Sequence, residues 1–291
     1  MRRYRRLKSR IRNARAKRSE KGVFVIRRFL FLVLAMCNLC TVSALADQQA
    51  QLVQTVIGFS SPGNAYGPWD LTDLRYLDIL QGQSFVIDLS HRSDHDPAFP
   101  TSGNYGNLSY SRDLSPRLYV NAAAGFGSGG PFATQDYHLE FNYKVTTDYR
   151  FVTGVAGDAV AYANGLKGND VGVALSYYWP HVIAQVRGYV VSNMNSPTRG
   201  SVLGSLELRP NNMSDIVATA IVGPQYYEVI IPGIPPAFQN QSGWVSTLSY
   251  QQWLSHHFGL IVGGYLSNYT QFGTGAPIAA GRGYTFGVSM R

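Results

Sequence analysis

The sequence predicts an all-β fold: a single antiparallel up-and-down transmembrane β-barrel of about 14 strands (12–14), preceded by a signal peptide. Three observations predict it. Apolar and polar residues alternate with period two over segments of about ten residues, the length a tilted strand needs to cross a bilayer. Long connections alternate with short ones. Aromatic residues gather at the ends of the alternating segments.

The clearest segment is Asp170–Ser192. Val171, Val173, Leu175, Tyr177 and Trp179 share one face; Gly172, Ala174, Ser176 and Tyr178 share the other. Beyond Trp179-Pro180-His181, which has room only for a tight turn, Val182, Ala184, Val186, Gly188 and Val190 oppose Ile183, Gln185, Arg187 and Tyr189. A period of two places successive side chains on opposite faces of an extended strand. One large apolar face and one small or polar face suit lipid outside and a polar lumen inside.

The same grammar runs through the chain after residue 46. Strands are expected at 51–59, 69–80, 83–91, 104–112, 117–126, 135–144, 149–160, 169–179, 181–192, 200–209, 214–228, 240–251, 257–268 and 282–290. Two read with little noise. Tyr137, Leu139, Phe141 and Tyr143 oppose His138, Glu140, Asn142 and Lys144; Leu118, Val120, Ala122, Ala124 and Phe126 oppose Tyr119, Asn121 and Gly125. The odd connections are long and rich in Gly, Pro, Asn and Ser: 60–68, 92–103, 127–134, 161–168, 193–199, 230–239 and 268–281. The even ones are short: 81–82, 113–116, 145–148, 180, 210–213 and 252–256. Long loops outside and short periplasmic turns are the habit of outer-membrane barrels, whereas Greek-key sandwiches mix lengths. Closure pairs every backbone donor and acceptor, as lipid requires.

The leader accounts for the basic balance. The 291 residues carry a formal charge of +8, yet residues 1–28 hold thirteen Lys and Arg against the single acid Glu20. The apolar run from Phe29 closes on Ala44-Leu45-Ala46, a small-x-small cleavage site, so residues 1–46 read as a removed signal peptide and 47–291 as the barrel domain. Without those twelve net positive charges the mature chain stands at −4, which removes the case for a nucleic-acid partner. Both cysteines, Cys37 and Cys40, leave with the leader, and with them any disulfide or thiol chemistry. The expected location is the bacterial outer membrane, reached by export through the inner membrane.

The candidate residues follow from these faces. Asp88, Glu140, Lys144, Arg187, Glu207 and Arg209 fall on the expected lumen face. Tyr119, Tyr149, Tyr177, Trp179, Trp244 and Trp253 are expected in aromatic girdles at headgroup level, against the rival reading of ordinary core aromatics in a secreted soluble β-protein. Fourteen strands lie between small barrels filled by side chains and sixteen-stranded porins with an aqueous channel, and the expectation is a narrow or plugged lumen.

Several stretches resemble the YaiO-like outer-membrane β-barrel family. They are Leu114-Ser-Pro-Arg-Leu-Tyr-Val-Asn-Ala-Ala-Ala-Gly-Phe-Gly127, Tyr149-Arg-Phe-Val-Thr-Gly154, Val171-Gly-Val-Ala-Leu-Ser-Tyr-Tyr-Trp179, and Ser201–Arg209 with Asp215–Gly223. The resemblance implies a Gram-negative outer-membrane barrel tied to surface composition or exopolysaccharide machinery, and carries no catalytic residues with it. Tyr284, Phe286, Val288 and Met290 resemble the terminal strand that the barrel-assembly machinery reads, although such strands usually end on Phe or Tyr and here Met290 and Arg291 stand in that place. The implied partners are outer-membrane lipid, the assembly machinery, and polysaccharide or its export machinery.

The densest polar cluster is Ser90-His-Arg-Ser-Asp-His-Asp96. His91-x-Ser93 resembles the His-x-Ser pair of outer-membrane lipid A deacylases, smaller barrels with the pair near the C-terminus, and a histidine beside a hydroxyl can activate it for acyl transfer. His91, His95, Asp94 and Asp96 also have donor atoms a metal could take, as does His256-His257, set against a solvated polar rim. Gly125-Phe-Gly127-Ser-Gly129-Gly130 precedes a strand and reads as a loop hinge, not a phosphate cradle. The sequence reading is therefore a non-enzymatic outer-membrane barrel in cell-surface architecture or export, without cofactor or metal. Its alternatives are a lipid hydrolase or acyltransferase using His91 and Ser93, and a secreted soluble β-protein binding a ligand or partner.

Overall fold

Fourteen strands, each hydrogen-bonded to its neighbours in sequence, close on themselves in a computed structural model that describes residues 50–60, 69–80, 82–95, 101–128, 132–162, 167–193, 196–224, 241–271 and 277–291. In chain order they are β1 (Ala50–Ser60), β2 (Trp69–Leu80), β3 (Gln83–Asp94), β4 (Thr101–Asp113), β5 (Leu118–Gly127), β6 (Gln135–Lys144) and β7 (Phe151–Ala161). There follow β8 (Lys167–Trp179), β9 (Val182–Asn193), β10 (Ser196–Asn211), β11 (Ser214–Pro224), β12 (Gln241–Trp253), β13 (Phe258–Gln271) and β14 (Pro277–Met290). Every pairing is antiparallel, and the ring is sealed where β1 meets β14 from Val53↔Met290 to Ser60↔Gly283. The barrel is one compact unit within Gln49–Arg291. The expected signal peptide at 1–46 lies outside the described residues.

The side-chain alternation has the sense that lipid demands. Along β8, Val171, Val173 and Leu175 are 61, 59 and 45% exposed, while Asp170, Ala174 and Ser176 are 5, 2 and 5% exposed. A soluble sandwich would show the reverse, with valines against valines and carboxylates in water. Tyr137, Leu139 and Phe141 of β6 point outward, and Glu140 and Asn142 are buried inside. No helix among the described residues is long and apolar enough to cross a membrane. Strands do the crossing.

The strands depart from expectation mainly at their long-loop ends. β14 begins at Pro277 instead of 282, and proline suits a first position because it has no N–H to give the ladder. β10 runs from Ser196 to Asn211, beyond its expected 200–209, and register shifts between Ser196/Arg199 and Leu208/Asn211 absorb Pro197 and Pro210. The fifth long connection, expected at 193–199, consequently shrinks to 194–195, so the long/short alternation is looser than the composition suggested. The end of the expected 214–228 strand, past Pro224, lies outside the described residues.

Candidate functional site

Paired charges line the inner wall. Arg75 Nε donates to Asp88 Oδ1 at 2.5 Å from the register-opposed position on β2. Glu140 of β6 and Arg187 of β9 meet at 2.6 Å (Arg187 Nη2 to Glu140 Oε1), and Asn121 Nδ2 donates to the other Glu140 oxygen at 3.4 Å. His138 turns Nδ1 to Asp158 at 2.6 Å and Nε2 to Glu140 at 3.5 Å, so both ring nitrogens face carboxylates. Opposite, Gln54 Nε2 reaches Ser289 Oγ at 3.3 Å and Gln251 Oε1 at 3.4 Å. Thus Asp88, Glu140 and Arg187 lie within the lumen wall.

Lys144, Glu207 and Arg209 sit at the short-turn rim, Lys144 in phase with buried Glu140 and Glu207 in phase with buried Leu203. Lys144 Nζ is 3.3 Å from Asp113 and 5.6 Å from the rings of both Tyr119 and Tyr149. Arg209 is half exposed, 2.5 Å from Glu207 and 3.7 Å from Asp215. In the neighbouring turn, hydrogen bonds from Thr146 and from the Arg150 N–H hold the Asp148 carboxyl below its usual range.

Near the long-loop mouth the inner wall becomes aromatic. Trp69, Leu71, Tyr105, Phe132 and Tyr265 form one buried cluster. Trp69 stacks on Tyr265 with centroids 5.8 Å apart, and the Arg92 guanidinium lies 5.0 Å from the Trp69 centroid. Phe132, from the connection after β5, is 1% exposed and stacks on Tyr105 at 5.5 Å. That connection folds back over Gly127, whose N–H donates to Thr134 O at 3.2 Å, and so carries Phe132 into the mouth. The Tyr105 hydroxyl donates to Asp136 across β5. Only a glycine at 125 permits this, since a Cβ there would lie 2.0 Å from the Tyr105 hydroxyl oxygen. None of the Trp69, Tyr105, Phe132 or Tyr265 positions stood out in the sequence, because lumen aromatics and girdle aromatics share one composition and differ only in face.

The girdle set divides in the same way. Trp179 is about half exposed and Trp244 40% exposed, both toward the outside, with Tyr177 packed 4.0 Å from Trp179, while Tyr149 is about half exposed in the turn between β6 and β7. Tyr119 and Trp253 depart from the expectation. Tyr119 shares the inner face with Asn121, and Trp253 is 2% exposed beneath Arg291, whose guanidinium lies 3.9 Å from its ring centroid. Arg291 is therefore tied down after Met290, with its N–H donating to His257 O at 3.1 Å and its own carbonyl 3.3 Å from His257 Nδ1. That contact also gives His257 a structural partner.

His91 and Ser93 lie on the outward face of β3, continuing the row of Ile87 and Leu89. Ser93 Oγ is 3.2 Å from His91 Nε2, and His91 Nδ1 is 2.8 Å from Asn104 Oδ1 on β4. Asn104 was not singled out in the sequence. Its place follows from the hairpin register His91↔Asn104, which in turn depends on how many residues the 95–100 connection takes up. His95 turns away to Asp70, Nε2 to Oδ2 at 2.9 Å. The four residues weighed as metal donors, His91, Asp94, His95 and Asp96, form no metal-ligating group among the described residues, and Asp96 lies outside them.

Comparison with known proteins agrees with this architecture. The model of the YaiO membrane beta barrel domain matches residues 50–212. No curated protein matches. Among solved structures, the CymD monoaromatic hydrocarbon channel superposes with TM-score 0.55 at 8% identity, covering 84% of this chain and 89% of that one. The Acinetobacter baumannii outer membrane protein Omp33 gives TM-score 0.44 at 8% identity over 83% and 97% of the two chains. At such identity the likeness to CymD is one of fold alone. A lipid-facing closed barrel whose first ten strands match that family model is an outer-membrane protein, and the chain belongs to the YaiO membrane β-barrel domain family.

Proposed function

We propose that the barrel is a narrow conduit in cell-surface export, with no chemistry in its lumen, and that its cargo is a hydroxyl-rich polymer such as an exopolysaccharide. The observation that carries this reading is the inner wall itself: the Glu140–Arg187 pair with its neighbours His138, Asp158 and Asn121 below, and the Trp69–Tyr265 and Tyr105–Phe132 stacks near the mouth. Paired charges and amides exchange hydrogen bonds with hydroxyls, and aromatic faces accept the apolar faces of sugar rings. An unobstructed porin would lack the inward-folded Phe132. In the same reading residues 1–46 are cleaved after Ala46, and the β14 residues Tyr284, Phe286, Val288 and Met290 are what the assembly machinery engages.

Planar-bilayer recording tests the proposal. The wild type should give small unitary currents, Phe132→Ala with Tyr105→Ala should enlarge them, and soluble oligosaccharide should block them. Arg187→Glu should shift ion preference toward cations. Silence in every variant, or large porin-like steps in the wild type, would overturn it.

A further inference from the structure

The outward cluster on β3 and β4 has a directionality that a solvated rim does not need. In an antiparallel ladder, positions i and i+2 share a face and the register-opposed residue stands beside them. His91 and Ser93 are i and i+2, and Asn104 is directly opposite His91. The result is one chain of contacts: Ser93 Oγ to His91 Nε2 at 3.2 Å, then His91 Nδ1 to Asn104 Oδ1 at 2.8 Å. Because a carbonyl oxygen only accepts, Asn104 Oδ1 favours the tautomer in which His91 Nδ1–H donates to it, which leaves Nε2 as the base facing the hydroxyl. That is the nucleophile–base–orienter order of acyl-transfer enzymes. Asn104 is itself anchored, its N–H donating to Ser128 Oγ and its carbonyl accepting from Ser128 N, each at 2.9 Å.

Position supplies the substrate class. Leu89, Leu108 and Phe126 are half exposed on the same outward face, on the side of the cluster toward the middle of the wall. Ser93 stands four residues beyond Leu89 along β3, which at about 3.4 Å per residue and a tilt near 40° puts it roughly 10 Å higher. This is where acyl chains give way to headgroups, the depth of a lipid's ester bonds. The long-loop end is the cell-exterior end of such barrels, so the leaflet is the outer one.

We propose that Ser93, His91 and Asn104 form an acyl-ester hydrolase site on the outside of the barrel, with outer-leaflet lipid as substrate. Ser93 Oγ attacks the ester carbonyl carbon while His91 Nε2 takes its proton. The tetrahedral intermediate collapses, the C–O bond to the lipid alcohol breaks, and His91 returns the proton to the departing oxygen. Water, activated by His91, then cleaves the acyl-Ser93 ester, releasing a fatty acid and restoring the hydroxyl. Ester and water become acid and alcohol, with nothing else consumed. Ser102 is the register partner of Ser93 and shares its outward face. The site faces away from the lumen, and Arg187→Glu leaves it intact.

The test uses the full mature chain folded into vesicles, in two arms. One holds phosphatidylethanolamine and phosphatidylglycerol; the other adds lipopolysaccharide. Free fatty acid is measured in both, and a fluorophosphonate probe is mapped by peptide mass spectrometry. Acid release in either arm, with the probe on Ser93, is the expected result, and the productive arm identifies whether phospholipid or lipid A carries the ester. Ser93→Ala should abolish both signals, and His91→Ala should slow release by about 10²–10⁴-fold. Asn104→Ala should slow it by roughly tenfold or more, with Asn104→Asp restoring most of the rate. Heat-modifiable gel migration shows that each variant is folded. No acid release in either arm from folded wild type, or release that survives Ser93→Ala, would overturn the proposal.

Discussion

Arg187 reaches Glu140 at 2.6 Å although two strands, β7 and β8, separate their own. Three strand spacings amount to about 14 Å of wall, so the pair closes a chord through the lumen instead of a ladder rung. Both side chains are well buried, 14 and 5% exposed. Removing one partner of such a pair strands the other charge away from water.

Glu140→Ala is therefore expected to cost about 3–5 kcal/mol, because Arg187 loses its carboxylate where little water can replace it. The double change Glu140→Leu with Arg187→Leu should cost less than the single one. Urea titration of the folded, heat-modifiable band measures both. Equal losses would show that the two charges do not depend on each other.

Gly283 is expected to be needed for closure. A Cβ there would lie 2.3 Å from Tyr265 Cε1 and 2.7 Å from the Phe59 carbonyl oxygen, on the strand that seals the ring. Backbone cannot yield as a side chain can, so Gly283→Val should remove the heat-modifiable form. Gly204→Val, with nothing within 4 Å of its Cβ, should fold as the wild type does. If both variants fold equally well, the β1–β14 seam is not packed as described.

Val173, midway along β8 and 59% exposed, should mark the lipid side. Val173→Arg is expected to cost roughly 2–4 kcal/mol in bilayers, as cations near the midplane of a barrel do, while Val173→Leu stays near neutral. Folding free energy in vesicles is the readout. An arginine tolerated there without cost would remove the membrane from around this face.

Much of the barrel was legible in the residues, since a period of two is a local property. Val171, Val173 and Leu175 announce their face without reference to anything distant, and the same holds for Tyr137, Leu139 and Phe141. Where proline and glycine break the pattern, the ends drifted, as at Pro277 and Ser196. Aromatic composition could not sort Trp179, which faces out, from Trp253, which faces in beneath Arg291. One residue of phase separates those two fates.

By itself the sequence determined the strand period, the count of about fourteen strands and the sense of the lipid face, because alternation is written residue by residue. Only the tertiary structure decided which side chains meet: Glu140 with Arg187, Tyr105 with Asp136 over Gly125, and Asn104 with His91. Those meetings depend on register and on curvature of the closed wall. Both are set by the sum of turn lengths around the ring, and no single segment contains that sum.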